Sequence, residues 1–383
     1  MKNKKLVIIS HTEHYIDEGE DEKVKGWGAT INEINFLADY WEEIVHVACL
    51  YTIPAPKSAL PYNKTNIRFV PIPPFGGRNI KDKLLIFFKV PIILSRVYKS
   101  IRKATEVQLR LPTSIGLFLL PFFTIMFSRK FTLWVKYAGN WNQLNAPYSY
   151  RVQKFWLKNN FARCKVTING FWDNQPSNCF SFENPCLSND EILKGETIIK
   201  NKMFKAPFTL CFVGRLDNLK GVNHIVGTLK NSSQDLIKEI HFVGDSDKLE
   251  GYKSELSFMK DKIVFHGFLD KNSVHEILEK SHFILLPSAS EGFPKVIAEA
   301  ACYGTIPIVS NVGSIPHYIN ESNGFIWEIN GNIKYTSVFN TAITSKGSKL
   351  KEKSIALFPL AKKFTFDNYL YKLETDIFRK KNI

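Results

Sequence analysis

Two stretches of the 383-residue chain combine residue types that act on charged and hydroxylated ligands. The first, FVGRLDNLKG at 212–221, ends an apolar run at Gly214 and presents Arg215 and Lys220 ahead of Gly221. Open parallel sheets bind ligands at the carboxyl ends of their strands, where two cations suit a diphosphate. Taken alone, the same residues also fit a surface ion pair between Arg215 and Asp217. The second, SASEGFPKVIAEA at 288–300, follows the run FILLP and sets Glu291 and Glu299 around a Gly-Phe-Pro turn. With Pro294 as the first helical residue, Glu291-Gly292-Phe293 lies at a helix N-terminus, where backbone amides hold a phosphate or sugar hydroxyls. Glu299 then lies about a turn and a half inside the helix, and both carboxylates face one strand-end crevice at different depths. Their oxygens accept hydrogen bonds from vicinal hydroxyls. Singly, Glu291 also reads as pairing with the helix dipole and Glu299 as a solvated helix position.

Positioning such groups takes strands that end together. Apolar, β-rich runs recur: KLVII, IVHVACL, IRFVPI, EVQLRL, FTLWVKY and KVTI in the first half, then FTLCFVG, EIHFVGD, KIVFHGF, HFILLPS and IPIVS. In the second half helical stretches alternate with them (VNHIVGTLKN, LEGYKSELSFMK, SVHEILEK, KVIAEAACYG), which implies parallel βαβ units and a doubly wound sheet in each half. The polar stretch Cys179 to Lys205 has no sustained period. The expected division is therefore a first Rossmann-like domain at 1–185, a linker at 186–205 and a second at 206–355, facing each other across a cleft. A terminal helix over 356–383 is expected to pack back on the first domain.

Composition narrows the function classes. The chain is 44% hydrophobic and 23% charged, which fits two soluble globular domains. The start MKNKKLVIIS meets no small-residue cleavage site before DEGEDE and reads as a buried strand. IGLFLLPFFTIMF at 115–127 is too short to span a bilayer and reads as a buried or interfacial segment. The six cysteines show no zinc-type spacing, and a reduced, cytoplasmic protein fits them best. Net charge is +15, with 20 Lys or Arg against two acids between Lys57 and Lys165. Such a stretch attracts polyanions or anionic lipid, or is a solvated face.

The pattern Glu-Gly-Phe-Pro-x-x-x-x-Glu, preceded by Gly-Arg-Leu and Lys-Gly and followed by CYGTIPIVSNVGSIPHYI and NGFIWEI, resembles glycosyltransferase family 4, the retaining nucleotide-sugar transferases of GT-B fold. The match in motif order and spacing covers roughly Phe208 to Ile329. In the first half it rests on GWGATINEINFLADYW and VKYAGNW. The resemblance implies an α/β GT-B fold and a metal-independent transferase without a bound cofactor, whose co-substrate is a nucleoside-diphosphate sugar, UDP-sugar favoured over GDP-sugar. It implies catalytic roles for Arg215 and Lys220 on the donor pyrophosphate and for Glu291 on the donor sugar hydroxyls. Glu299 would hold the ribose hydroxyls. The loop Gly214, Gly292, Phe293 and Pro294 would shape the donor site, and the amides of Lys295 and Val296 would face the diphosphate. Gly28, with Gly26, would let backbone approach the phosphates, or would simply make a tight turn. His11 and His14, at the end of the first strand, and Asn140 in AGNW are candidates for the donor-sugar or acceptor side by location. His317 stands where the family commonly has Glu, and Ser314 replaces its second glycine. No metal ligand is expected.

The expected partners are a nucleotide-sugar donor, a glycan or lipid-linked acceptor and an anionic membrane surface, with no nucleic acid. LLIFFKVPIILSRVYKSIRK would supply peripheral attachment to the inner membrane face. The bias toward Lys, Asn and Ile suggests an AT-rich bacterial source, and with it capsule, O-antigen or exopolysaccharide assembly. The competing readings are a nucleotide-sugar epimerase of the same fold and a basic nucleic-acid-binding protein.

Overall fold

The computed structural model describes residues 4–16, 23–76, 85–126, 130–143, 145–172 and 174–378. The acidic segment at 17–22, parts of the basic stretch at 77–84 and 127–129, and the last five residues lie outside the described residues. The chain forms two compact units: Glu183–Leu370, and the residues to Phe182 together with those from Tyr371 onward.

The first unit runs β1 (Lys5–Ile16), β2 (Val24–Trp27), α1 (Gly28–Leu37), β3 (Glu43–Tyr51), β4 (Ala59–Pro61), β5 (Ile67–Ile72), α2 (Ile86–Ile101), β6 (Glu106–Leu111), α3 (Gly116–Ile125), β7 (Thr132–Tyr137), α4 (Tyr148–Lys158), β8 (Lys165–Ile168) and β9 (Cys179–Ser181). Its parallel strands lie in the order β5-β3-β1-β6-β7-β8-β9, and the short β2 and β4 join antiparallel at the far end of β1. Successive side chains of a strand point to opposite faces. In EVQLRL this sends Val107, Leu109 and Leu111 into the apolar core with Ile93, Val97, Leu119 and Phe123. Glu106, Gln108 and Arg110 alternate with them and are buried too. Glu106 accepts hydrogen bonds from Lys4 Nζ and Trp41 Nε1, both at 2.6 Å.

The second unit runs α5 (Asn189–Asn201), β10 (Phe208–Val213), α6 (Val222–Leu229), β11 (Ile237–Val243), α7 (Leu249–Glu255), β12 (Ile263–Gly267), α8 (Lys271–Lys280), β13 (Phe283–Leu286), α9 (Lys295–Cys302), β14 (Ile306–Ser310), β15 (Phe325–Trp327), α10 (Tyr335–Ile343), α11 (Gly347–Lys363) and α12 (Phe366–Lys372). Its parallel sheet has the order β12-β11-β10-β13-β14-β15. Counted from β10, this is the doubly wound order 3-2-1-4-5-6, whose direction reverses between β10 and β13.

Three expectations change. The segment 186–205 is not a linker: it contains α5, opened by a capping box in which Ser188 Oγ accepts from Glu191 N–H and Glu191 accepts from Ser188 N–H. Ile192 and Ile199 are buried on its inner face, so the helix belongs to the second unit. The segment 356–383 is not one helix: α11 ends at Lys363, Phe364 is buried, and α12 begins after Thr365, whose Oγ1 accepts from Asn368 N–H. From Tyr371 the chain belongs to the first unit, where Phe378 meets the rings of Trp41 and Trp134 edge-on. The third concerns GWGA. Gly26 lies in β2, opposite His14 of β1 and Leu60 of β4, and a Cβ there would come within 2.6 Å of the His14 ring.

His14 is wholly buried, bonded at 2.9 Å to Thr12 O and at 2.8 Å to Tyr62 Oη, which also meets His46 Nδ1 at 2.6 Å. Burial lowers the His14 pKa to about 4 and that of His46 well below its ordinary value, the latter helped by His14 and Arg110. Both imidazoles are therefore neutral in the fold, whereas the unfolded chain protonates them near pH 6.5. Their contribution to stability is complete above about pH 6.5 and is lost as pH falls toward 4, at up to about 1.4 kcal/mol per pH unit for each proton taken up. Unfolding midpoints measured from pH 7.5 to 4.5 should fall, and less steeply in His46→Gln. Equal slopes would show that this cluster is not the acid-sensitive element.

Candidate functional site

The reversal between β10 and β13 brings the two motifs together. β10 ends at Val213, and Gly214 N–H donates to Val243 O at 2.9 Å. Arg215 points outward, 65% exposed, with Nε donating to Asp217 Oδ2 at 2.5 Å. The surface ion pair open at the level of sequence is thus present. Asp217 Oδ1 also accepts from Lys220 N–H at 2.8 Å, which orders the turn carrying both cations. Gly221 follows at φ +77°, with the position of its missing Cβ only 2.0 Å from Pro287 O at the end of β13. No side chain fits there. This close approach sets Lys220 beside the Glu291 loop, and Lys220 Nζ donates to Glu291 Oε1 at 2.6 Å. The Glu291 side chain is 9% exposed and that of Lys220 29%.

The Glu291 loop is held from below. Gly292 O accepts both the N–H and the hydroxyl of Ser314, at 2.9 and 2.8 Å, so the serine that replaces a family glycine anchors this loop. Phe293 turns inward onto Tyr318 and Phe364. Pro294 is the N-cap rather than the first helical residue, and α9 starts at Lys295. A proline φ is compatible with either position, and here ψ of 118° leaves the helical region. Lys295 and Val296 N–H are the first two helical amides, which have no partner within the helix. Two buried hydroxyls that the motifs do not single out, Ser288 and Ser310, sit at or just beyond the ends of β13 and β14 without a hydrogen-bond partner among the described residues.

Among the described residues Glu299 has no hydrogen bond or ion pair to this cluster. Its carboxylate lies 4.0 Å from His275 Nε2, while Lys295 Nζ, one turn earlier, donates to Pro185 O at 2.8 Å. His275 Nδ1 meets Tyr303 Oη at 2.8 Å. Hydrogen bonds unite Arg215, Asp217, Lys220 and Glu291.

In the first unit the candidates separate. His11 lines a cavity at the ends of β1, β6 and β7. Desolvation and the nearby Arg110 lower its pKa. His14 is sealed in the core and does not line that cavity, because its ring packs on Phe69 and Tyr62. Asn140 Oδ1 accepts from Asn142 N–H at 3.0 Å and shapes the loop after β7. Gly28 N–H donates to Ser58 O at 3.2 Å, and a Cβ there would come within 2.9 Å of that oxygen, so it serves the packing of α1 on the 56–60 loop. The motifs missed a buried cluster: Glu33 accepts from Lys136 Nζ at 2.7 and 2.8 Å, and its Oε1 lies 3.1 Å from Arg110 Nη2. The available signal was a single cation near the end of each apolar strand, in EVQLRL and TLWVKY, since buried charge is rare unless paired or functional.

Residues 194–350, all in the second unit, match the family model described as glycosyl transferases group 1. The second unit carries a glycosyl transferases group 1 domain. An uncharacterized 41.2 kDa protein in the cps region of Klebsiella pneumoniae is 30% identical over 123 residues, 32% of this chain and 33% of that protein. The chain spans about a third of the length of the curated relatives it matches (33% and 31%). Among solved structures, sucrose-phosphate synthase from Thermosynechococcus elongatus superposes with a TM-score of 0.67 at 14% identity, covering 97% of this chain and 98% of that one. HepE of Anabaena in complex with UDP-glucose gives 0.65 at 14% identity with the same coverage. The two Rossmann-like units have the fold of GT-B glycosyltransferases, and the Lys220–Glu291 pair lies inside the group 1 domain. Among the described residues no group of three His, Cys, Asp or Glu could hold a metal ion.

Proposed function

We propose that the protein is a retaining glycosyltransferase of family 4 that moves a sugar from a nucleoside-diphosphate sugar, UDP-sugar in preference to GDP-sugar, to a glycan or lipid-linked glycan acceptor. The observation that carries this is the contact between Lys220 and Glu291 at the point where the second sheet reverses, beside the first amides of α9. A cation, a carboxylate and helix amides at one strand end match a ligand with a diphosphate next to a polyol. Lys220 and Arg215 would take the diphosphate and offset the charge that develops on the departing nucleotide, without calling on a metal. Glu291 would take the sugar hydroxyls, and Glu299 the ribose. The relative in a cps region and the UDP-glucose complex of HepE support a role in surface polysaccharide synthesis and the choice of UDP.

We place the enzyme in the cytoplasm at an anionic membrane surface. Helix α2 buries Ile86, Ile93, Val97 and Ile101 and leaves Phe87, Phe88 and Ile92 exposed, Phe88 by 80%. Arg96, Lys99, Arg102 and Lys103 are exposed beyond them. Such a face, apolar in its first half and cationic in its second, suits lipid headgroups. No helix among the described residues is long and apolar enough to cross a membrane.

Titration calorimetry with UDP, GDP, ADP and CMP in buffer free of divalent metal tests the donor assignment. We expect one nucleoside diphosphate to bind, Glu299→Ala to weaken it about tenfold or more, and Glu291→Ala to leave it nearly unchanged while donor turnover is lost. Equal and negligible effects of both substitutions would overturn the assignment.

A further inference from the structure

The first sheet also reverses direction, between β1 and β6, and there its residues line an open cavity of about 360 Å³. We propose that this cavity is a subsite for an acidic sugar, whose negative group meets Arg110 and Lys136 and whose ring lies on Trp27.

The cations are placed by register. Arg110 of β6 is the direct partner of Lys136 of β7, so two like charges stand side by side on one face. Like charges in that position repel, and Glu33 on α1 offsets them by contacting both. Arg110 is 8% exposed and Lys136 6%, yet both line the cavity instead of being sealed beneath it. The Arg110 fork has Nε on Gln108 Oε1 at 2.7 Å and Nη1 on Thr30 Oγ1 at 3.3 Å. Nη2 lies 3.1 Å from Glu33 Oε1 but out of line for a hydrogen bond, so it has no hydrogen-bond acceptor among the described residues. Arg110 and Lys136 together bring two positive charges to the wall of the cavity against the one carboxylate of Glu33, a setting that fits a carboxylate or phosphate group and in which attraction is stronger than in water.

The remaining walls suit a sugar. Trp27 is 59% exposed beside the cavity, an aromatic face for the C–H side of a pyranose ring. Glu13 accepts a 2.6 Å hydrogen bond from Tyr15 Oη and is exposed, as is His11 beside it in the lining, where its oxygens meet hydroxyls. A neutral sugar would leave the second of the two positive charges without an anionic partner, and a simple anion would leave Trp27 and Glu13 unused. Calling this sugar the acceptor rests on the transferase reading above; its binding does not.

The test is titration of the whole chain, by calorimetry or saturation-transfer NMR, with methyl glucuronide, its uncharged methyl ester, methyl glucoside and glucose 6-phosphate. UDP is titrated separately. The acidic sugars should bind about tenfold or more tightly than the neutral ones. Preference for the glucuronide identifies a carboxylate and preference for the phosphate ester a phosphate; either supports the subsite. Trp27→Ala, at an exposed position, should weaken the preferred acid about tenfold. Equal binding of acid and ester to wild-type protein overturns the proposal even if UDP binds. Binding of the acid without any nucleotide binding leaves the subsite standing and removes the transferase reading.

Discussion

Lys220→Met should raise the dissociation constant of the nucleoside diphosphate about tenfold to a hundredfold and leave that of the nucleoside unchanged. The difference between the two ligands isolates the phosphates, and a charge-assisted hydrogen bond to them is worth about 1.5–3 kcal/mol. Donor turnover should fall further, by about a hundredfold to a thousandfold, because the leaving diphosphate carries more charge in the transition state than in the bound donor. Without ligand, Lys220 is paired with Glu291 at 2.6 Å, so the substitution also strands a carboxylate that is 9% exposed. Stranding a buried carboxylate by removing its cation costs about 3–5 kcal/mol of stability. The double variant Lys220→Met/Glu291→Gln removes the stranded charge and should recover most of the unfolding midpoint while turnover stays lost. Recovery of both stability and turnover would make the pair a structural device and place the diphosphate elsewhere.

Gly221→Ala should be strongly damaging to both the fold of the second unit and nucleotide binding. Its φ of +77° is strained for any residue with a Cβ, and that Cβ would sit 2.0 Å from Pro287 O, a backbone atom of β13 that no rotamer change removes. The β10 turn must then move off the end of β13, carrying Lys220 away from Glu291. We expect a loss of about 3 kcal/mol, seen as a fall of about 6–12 °C in unfolding midpoint, together with loss of nucleotide binding. Gly227→Ala is the control, since that glycine lies inside α6 with nothing within 4 Å of the added methyl. Helix propensity there should add about 0.5–1 kcal/mol of stability without touching binding. A Gly221→Ala protein that melts and binds like wild type would mean that the turn has room to relax.

Much of this was legible along the chain because it is local. Alternating apolar runs and helix periods marked the strands named in advance, from KLVII to IPIVS, since burying one face imposes a period of two or 3.6 on neighbouring residues. The motif around Glu291 announced a strand, a turn and a helix N-terminus in order, within one residue of the start of α9. Helix α5 was legible too, in the Ser188 to Glu191 capping box, but three buried positions, Ile192, Gly195 and Ile199, were too sparse to register as an apolar face. The strands β2, β4 and β9, of three or four residues each, carry too few side chains to establish a period.

What the sequence determined by itself was therefore the type of the longer periodic elements and the presence of cations and carboxylates, from Arg215 to Glu291, near strand ends. Tertiary structure alone decided which residues meet. Lys220 reaches Glu291 across 71 positions because β13 inserts beside β10. Glu33 bridges Arg110 and Lys136 because β6 and β7 pair in register beneath α1. Of the two candidate histidines three positions apart, His14 is core because β2, Tyr62 and Phe69 cover it, while His11 faces the cavity. Strand order is set by the packing of whole elements against one another, a long-range balance that no window of neighbouring residues encodes.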